Sequence, residues 1–133
     1  MQTLATLFVI VFVIVVVAMS YVRFTPVDAG SGQGRPAEKG VGSYPAEGGH
    51  YEVVEAANFD MERLETALLK HPRSQKLADG VYVTRTAIWS FPDIIHVWEA
   101  DGALHISSHL VYGRKDFGMN RIRVESWLEA ARR

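Results

Sequence analysis

Three histidines and four cations are the residues whose types and spacing could do chemistry in this chain of 133 residues. His96, His105 and His109 lie on two alternating segments, Ile94–Glu99 and Leu104–Tyr112, joined by Ala100-Asp101-Gly102-Ala103. Asp-Gly favours a two-residue hairpin turn, because a type I′ turn needs positive φ at both central residues. With Asp101 and Gly102 in those places, Glu99 faces Leu104, Val97 faces Ile106 and Ile95 faces Ser108. On the other side Trp98 meets His105 and His96 meets Ser107. The three imidazoles then share one sheet face with Trp98 and Ser107, at the ~4.5–8 Å cross-strand spacings from which side chains can converge on a metal ion. The plainer alternative is a mixed polar face open to solvent or a partner. It is preferred, because no H-E-x-x-H spacing speaks for metal.

The cations are Arg114, Lys115, Arg121 and Arg123, set around the expected start of the last helix. Free N–H groups at a helix start favour anions, so a phosphate or lipid headgroup could sit there. A structural account competes with this. Asp116 can cap the helix or pair with Arg121, Asn120 can hydrogen-bond to a loop, and Gly118 can permit close packing or a special backbone angle. Capping explains Asp116 without any ligand, so the structural account is preferred. Asp60, Glu62, Glu65 and Asp79 could supply a carboxylate pair, but such charges are normal on surface helices. The chain has no Gly-rich phosphate loop, no G-x-S-x-G and no cysteine. Disulfides, thiolate metal sites and a cysteine nucleophile are therefore excluded, and no cofactor is expected. With 14 basic against 15 acidic residues, no global field steers a polyanion, so nucleic acid is not an expected partner.

The elements that must position these residues begin with Leu4–Val22, a run without a single charge. Nineteen helical residues span the ~30 Å hydrocarbon core, and in lipid a helix satisfies its own backbone. Tyr21 and Arg23 form an aromatic and cationic boundary. A cleaved signal peptide is the competing account, with Ala18-Met19-Ser20 as the processing site. Met1-Gln2-Thr3 carries no Lys or Arg and the apolar run is long for a signal, so a retained single-pass anchor in the lipid bilayer is expected, covering residues 1–24. Arg23, Arg35 and Lys39 follow the helix while its N-terminal side has no cation. The positive-inside rule, read literally, puts the rest of the chain in the cytoplasm.

Residues 25–49 hold seven glycines and three prolines without apolar periodicity, and are expected to be a flexible tether. The folded domain is expected over residues 50–133, starting with a strand at His50–Ala56. A helix capped by Asn58 or Asp60 runs to about His71, with Met61, Leu64, Ala67 and Leu68 as its apolar stripe. Strands follow at Val81–Trp89, Ile94–Glu99 and Leu104–Tyr112. A last helix runs from Asp116 or Gly118 to Arg132, with Val124, Trp127, Leu128 and Ala131 facing inward. The expected fold is α+β: an N-terminal transmembrane helix, then a small antiparallel meander of three to four strands with two helices packed on one face. Trp89, Phe91, Trp98 and Trp127 could line a pocket, but core packing is expected for Trp127 and at least one of the others.

Trp89-Ser90-Phe91-Pro92-Asp93, Ser107-Ser108-His109, Gly113, Asp116-Phe117-Gly118-Met119-Asn120-Arg121 and Arg123-Val124-Glu125 form one long pattern. Over Val83–Leu128 the chain resembles the bacterial domain-of-unknown-function family 1499 (DUF1499), and Tyr21-Val22-Arg23 followed by a Pro and an Asp fits it too. The resemblance implies that Trp89, Phe91, Pro92, Asp93, Gly113, Asp116, Gly118, Asn120, Arg121 and Val124 are motif residues of structural character. Where members carry Arg in the strand before the glycine, this chain has Ser108-His109-Leu110-Val111, which puts anion binding by that strand in doubt. The family implies an envelope setting, here the bacterial inner membrane with the domain on the periplasmic side, against the charge reading. It implies no reaction. The function expected is a non-enzymatic binding or accessory module with a membrane-protein partner. The alternatives are an anion or lipid-headgroup site at Arg114–Arg123 and a metal-dependent enzyme at His96, His105 and His109.

Overall fold

A computed structural model describes residues 1–133. Helix α1 (Gln2–Phe24) buries none of its residues and is long and apolar enough to cross a membrane; a signal sequence has the same character. Beyond it lie six strands and two helices: β1 (Gly42–Ala46), β2 (Gly49–Glu55), α2 (Met61–Lys70), β3 (Ser74–Ala78), β4 (Val81–Arg85), β5 (Pro92–Ala100), β6 (Ala103–Leu110) and α3 (Met119–Ala131).

The strands form one antiparallel sheet in the order β1-β2-β6-β5-β4-β3. The expected count of three to four strands is therefore corrected to six. The strands missed are the two edges, whose residues Gly-Ser-Tyr-Pro-Ala and Ser-Gln-Lys-Leu-Ala lack a buried alternating face. Pro and Lys on short edges discourage pairing with another chain, and they also erase the signal by which a strand is read. The sheet is not a simple meander. β3 to β6 run as one, but β6 then pairs with β2, and α2 carries the crossover between the β1–β2 hairpin and β3. The sheet starts at Gly42, not at His50, so the end of the segment expected as a tether is strand β1. β4 ends at Arg85 rather than Trp89, where the backbone turns away into a loop.

The β5–β6 register is the one the Asp-Gly turn dictates: Glu99↔Leu104, Trp98↔His105, Val97↔Ile106, His96↔Ser107 and Ile95↔Ser108. Asp101 and Gly102 both take positive φ, at 50° and 75°.

One sheet face carries the core. Tyr82, Ile95, Val97, Leu104 and Ile106 pack under Leu64 and Leu68 of α2 and Val124, Trp127 and Leu128 of α3. Asp60 caps α2, its Oδ1 accepting the Arg63 N–H at 3.0 Å. The Asp60 N–H in turn donates to Ala131 O at 2.9 Å, which ties the start of α2 to the end of α3. The opposite face presents Tyr51, Val53, Ile94, His96, Trp98 and His105, all buried. No helix covers them. The chain between α1 and β1 does, through Gly32 against Ile94 and Val111, and through Arg35, Glu38 and Lys39.

Candidate functional site

The end of the sheet where β4 finishes and β5 begins is also where α1 arrives. Arg85, the last residue of β4, donates from Nη1 to Val22 O at 3.1 Å and to Ser90 O at 3.0 Å, and from Nη2 to Thr25 O at 3.1 Å. A helix leaves its last four carbonyls without internal partners, so a guanidinium is a natural cap for α1. The same side chain ties α1 to the β4–β5 loop. That loop is closed by Thr86 N–H to Phe91 O and by Phe91 N–H to Thr86 Oγ, both at 3.0 Å. Trp89 stacks on Phe91 with ring centroids 6.1 Å apart.

The chain leaving β6 runs alongside, held by Val111 N–H to Pro92 O at 3.0 Å. Between the two loops lies a cleft of about 360 Å³. Its walls include Phe91, Tyr112, Phe117 and Met119, with Lys115 and Arg123 among its polar members. Phe117 is 90 % exposed and sits at φ 55°. A bulky residue held in the left-handed region with its ring in solvent is unusual, and such strain clusters at functional positions.

The floor of the cleft is a buried polar network. Asp93 is fully buried, and its Oδ2 accepts from Arg123 Nη1 at 2.6 Å. Asn120, also fully buried, donates from Nδ2 to Gly48 O and to Asp93 Oδ1, both at 3.5 Å, while Ser108 Oγ donates to Asn120 Oδ1. Charges survive at such depth only when paired and hydrogen-bonded. Four elements thus meet at one constellation: the start of β5, the end of β6, the β1–β2 turn and α3.

Helix α3 starts without a free anion site. Asp116 accepts the N–H groups of Gly118 at 3.1 Å through Oδ1 and of Asn120 at 2.8 Å through Oδ2. Burial pushes the Asp116 carboxyl up, but these N–H groups outweigh it and hold it below its ordinary value. Its role is the capping role read from the sequence, and Arg121 pairs instead with Glu125 at 2.7 Å. The four cations expected together are divided accordingly. Arg121 and Arg123 are consumed in ion pairs, whereas Arg114 and Lys115 are exposed and make none. Of the other motif residues, Gly113 and Gly118 sit at φ 92° and 76°, and Val124 is in the core.

The histidines share a face, but no group of three or more His, Asp or Glu residues is placed to hold a metal. His96 Nε2 lies 3.2 Å from Gln33 O; a carbonyl only accepts, so Nε2 carries the proton, and the buried Nδ1 has no partner. Burial lowers the pKa of His96, the Gln33 carbonyl opposes that, and Arg35 adds to it. His105 belongs to a relay: Lys39 N–H donates to Tyr51 Oη at 3.2 Å, and the Tyr51 hydroxyl lies 2.7 Å from His105 Nδ1. Burial raises the Tyr51 pKa, which keeps that hydroxyl a donor. His109 has both ring nitrogens against backbone carbonyls, Leu110 O at 2.9 Å and Glu47 O at 3.1 Å, so neither offers a lone pair outward.

The carboxylates do not pair either. Asp60 caps α2, Glu65 binds Lys76 at 2.9 Å and Tyr82 Oη at 2.8 Å, Asp79 meets Lys76 at 3.5 Å, and Glu62 stands on the outer face of α2. Sequence reasoning missed Arg85 as the clasp on α1. Its signal is a cation ending the apolar run Val81-Tyr82-Val83-Thr84. It also missed Arg35 and Glu38, which bracket Trp98. The Arg35 guanidinium carbon lies 4.9 Å from the ring centroid, and Glu38 Oε1 accepts the indole N–H at 3.1 Å. Nothing in a glycine-rich stretch marks such contacts.

The family model described as Protein of unknown function (DUF1499) matches residues 44–130. The chain belongs to that family. Neither a curated protein nor a solved structure matches it.

Proposed function

We propose that this DUF1499 member is a single-pass, membrane-anchored binding module, non-enzymatic, that serves a larger membrane assembly. The observation that carries this reading is α1 itself, 23 residues long and apolar enough to cross a membrane, whose last turn Arg85 fixes against the loop beside the cleft. The clasp holds Val22 and Thr25, which lie beyond Ala18-Met19-Ser20 and stay with the domain on either account, so the retained anchor rests on the length of α1 and on the uncharged Met1-Gln2-Thr3 before it. The polar residues that could have done chemistry support a non-catalytic role. Asp93, Asn120, Asp116 and the histidines are engaged in holding backbone and neighbouring side chains.

In this reading the membrane is the bacterial inner membrane and the domain faces the periplasm, following the family resemblance against the cations that flank α1. A reporter fused after Arg133 tests the side. Purification of the full chain in mild detergent is expected to recover a membrane protein at a fixed ratio. A clean monomer under every condition would count against the module.

A second reading makes the ligand an anion or lipid headgroup. The observation favouring it is specific: Lys115 lines a largely apolar cleft and makes no ion pair, and its exposed neighbour Arg114 makes none either. Thermal stabilisation by anionic lipid, removed by Lys115→Ala, is the expected outcome. The metal-dependent alternative draws no support from the imidazole geometry.

A further inference from the structure

We infer that the sheet end formed by the Trp89 and Phe117 loops is a membrane-docking surface, seated in the headgroup region of the same bilayer that α1 crosses. The inference rests on the anchored reading above and deepens it. Three observations carry it. The first is position: Arg85 Nη1 bonds Val22 O and Ser90 O together, so Trp89 adjoins the residue that shares a donor with the end of α1. A loop so close to the point where the chain leaves the hydrocarbon cannot stand far from the lipid surface.

The second is composition. Ile88, Trp89, Phe117 and Met119 are 70, 40, 90 and 47 % exposed, although each is large and apolar. Scattered exposed apolar residues are ordinary, but Ile88, Trp89 and Phe117 occur on the two loops that flank one cleft, and Met119 opens α3 directly after the second. The Trp89–Phe91 stack and the left-handed Phe117 hold their rings at the rim without burying them. Aromatic rings are favoured at the level of lipid headgroups, where one side meets acyl chain and the other water.

The third is charge. Arg114 and Lys115 stand on the Phe117 loop and make no ion pair. Unpaired cations beside exposed aromatics complement an anionic leaflet, and their long stems can lie along the apolar surface while the charges reach phosphate. A protein partner of the same site would have to supply both a hydrophobic plug and acidic groups. The bilayer supplies both and is already at the end of α1.

The chain offers its own probe. Its three tryptophans are Trp89, Trp98 and Trp127; the last two are buried at 6 and 3 % exposure, and α1 contains none. Quenching by lipid therefore reports Trp89. The full chain is placed in nanodiscs of phosphatidylcholine, or of phosphatidylcholine with phosphatidylglycerol, each with or without bromine on the upper acyl chain. Brominated discs are expected to quench the emission, and Trp89→Phe to abolish that quenching. Phosphatidylglycerol is expected to deepen it in a salt-sensitive way, and Arg114→Glu with Lys115→Glu to erase that increment while leaving the fold intact.

Disc-inserted protein whose emission ignores the bromine would overturn the docking surface and leave the anchor standing. Equal quenching in both lipids would overturn the assignment of Arg114 and Lys115 to headgroups. Shielding of Trp89 from a soluble quencher without any lipid quenching would mean a protein cover, and would overturn it too. Failure to enter discs at all overturns both the docking surface and the anchored reading.

Discussion

The two faces of the sheet are closed by opposite means. On one, α2 and α3 lay Leu64, Leu68, Val124, Trp127 and Leu128 against apolar strand residues, a seal of area and close packing. On the other, residues without helix or strand hold Trp98, Tyr51 and His96 by a guanidinium over a ring, a carboxylate on an indole N–H, a backbone amide and a carbonyl. The first closure is non-directional and cooperative. The second is a smaller apolar cluster, Tyr51, Val53 and Trp98, fastened by separate polar contacts whose net values are about 1 kcal/mol each. The helical face is therefore expected to set global stability, and the strapped face to be the one that opens without unfolding the domain.

The strongest test of that asymmetry is at the buried ion pair on the helical side. Asp93→Ala leaves Arg123 at depth without its carboxylate, and removing one partner of a buried pair is expected to cost about 3–5 kcal/mol. Unfolding of the full chain in detergent by denaturant, followed through the buried Trp127, measures it. Replacing both partners together, Asp93→Leu with Arg123→Met, is expected to recover part of the loss, because the desolvated charge is gone. A small effect of Asp93→Ala would mean that water already reaches this pair from the cleft.

The same asymmetry explains what could be read beforehand. Periodicity marks a surface that buries apolar area, so α2, α3 and the four inner strands were legible, and the Asp101-Gly102 turn dictated the β5–β6 register to the residue. Asp116 was legible as a cap because an acid followed by a glycine and an asparagine opens a helix in a recognisable way. Arg121 was weighed only against Asp116 although Glu125 stands at i, i+4 from it, and Arg123 could not be assigned to Asp93, thirty positions away, by any local rule. The edge strands and the leader were illegible for one reason. They are held by backbone hydrogen bonds and by single polar contacts to residues far along the chain, and neither leaves a pattern in neighbouring residue types. Composition alone made residues 25–49 a tether, and it did not register that Arg35 and Glu38 flank an indole.

Weakening the strap should give a smaller and more local result. Arg35→Ala removes the cation from the Trp98 face, worth about 0.5–2 kcal/mol according to how dry the contact is. Global unfolding should shift by no more than that, whereas hydrogen exchange at the Lys39 amide, which is bonded to the Tyr51 hydroxyl, should quicken distinctly. If Arg35→Ala destabilised the whole domain as much as Asp93→Ala, the two faces would be one cooperative unit and the contrast would fail.

Acid should act on the strap by the same route and with the least effect. Burial holds the pKa of His96 below its ordinary 6.5, with Arg35 acting in the same direction and the Gln33 carbonyl against both. A released or unfolded chain has a histidine of ordinary pKa, so it takes up a proton near pH 6.5 that the closed strap refuses. The contribution of neutral His96 to the closed state is thus complete above 6.5, falls as pH drops toward the lower folded value, and is exhausted below that. His71, set edge-on to Trp127 and lowered by burial, Arg123 and Arg73, likewise costs the helical face stability as pH falls below 6.5, so a global melting curve would mix the two. Local exchange separates them. Amide exchange across residues 33–39, corrected for its intrinsic pH dependence, should rise on acidification in the full chain, and His96→Asn should flatten that rise while leaving the acid response of α2 and α3 in place. An unchanged pH dependence in His96→Asn would assign the acid sensitivity to the helical face alone, and the strap would then be held by contacts that do not depend on this imidazole.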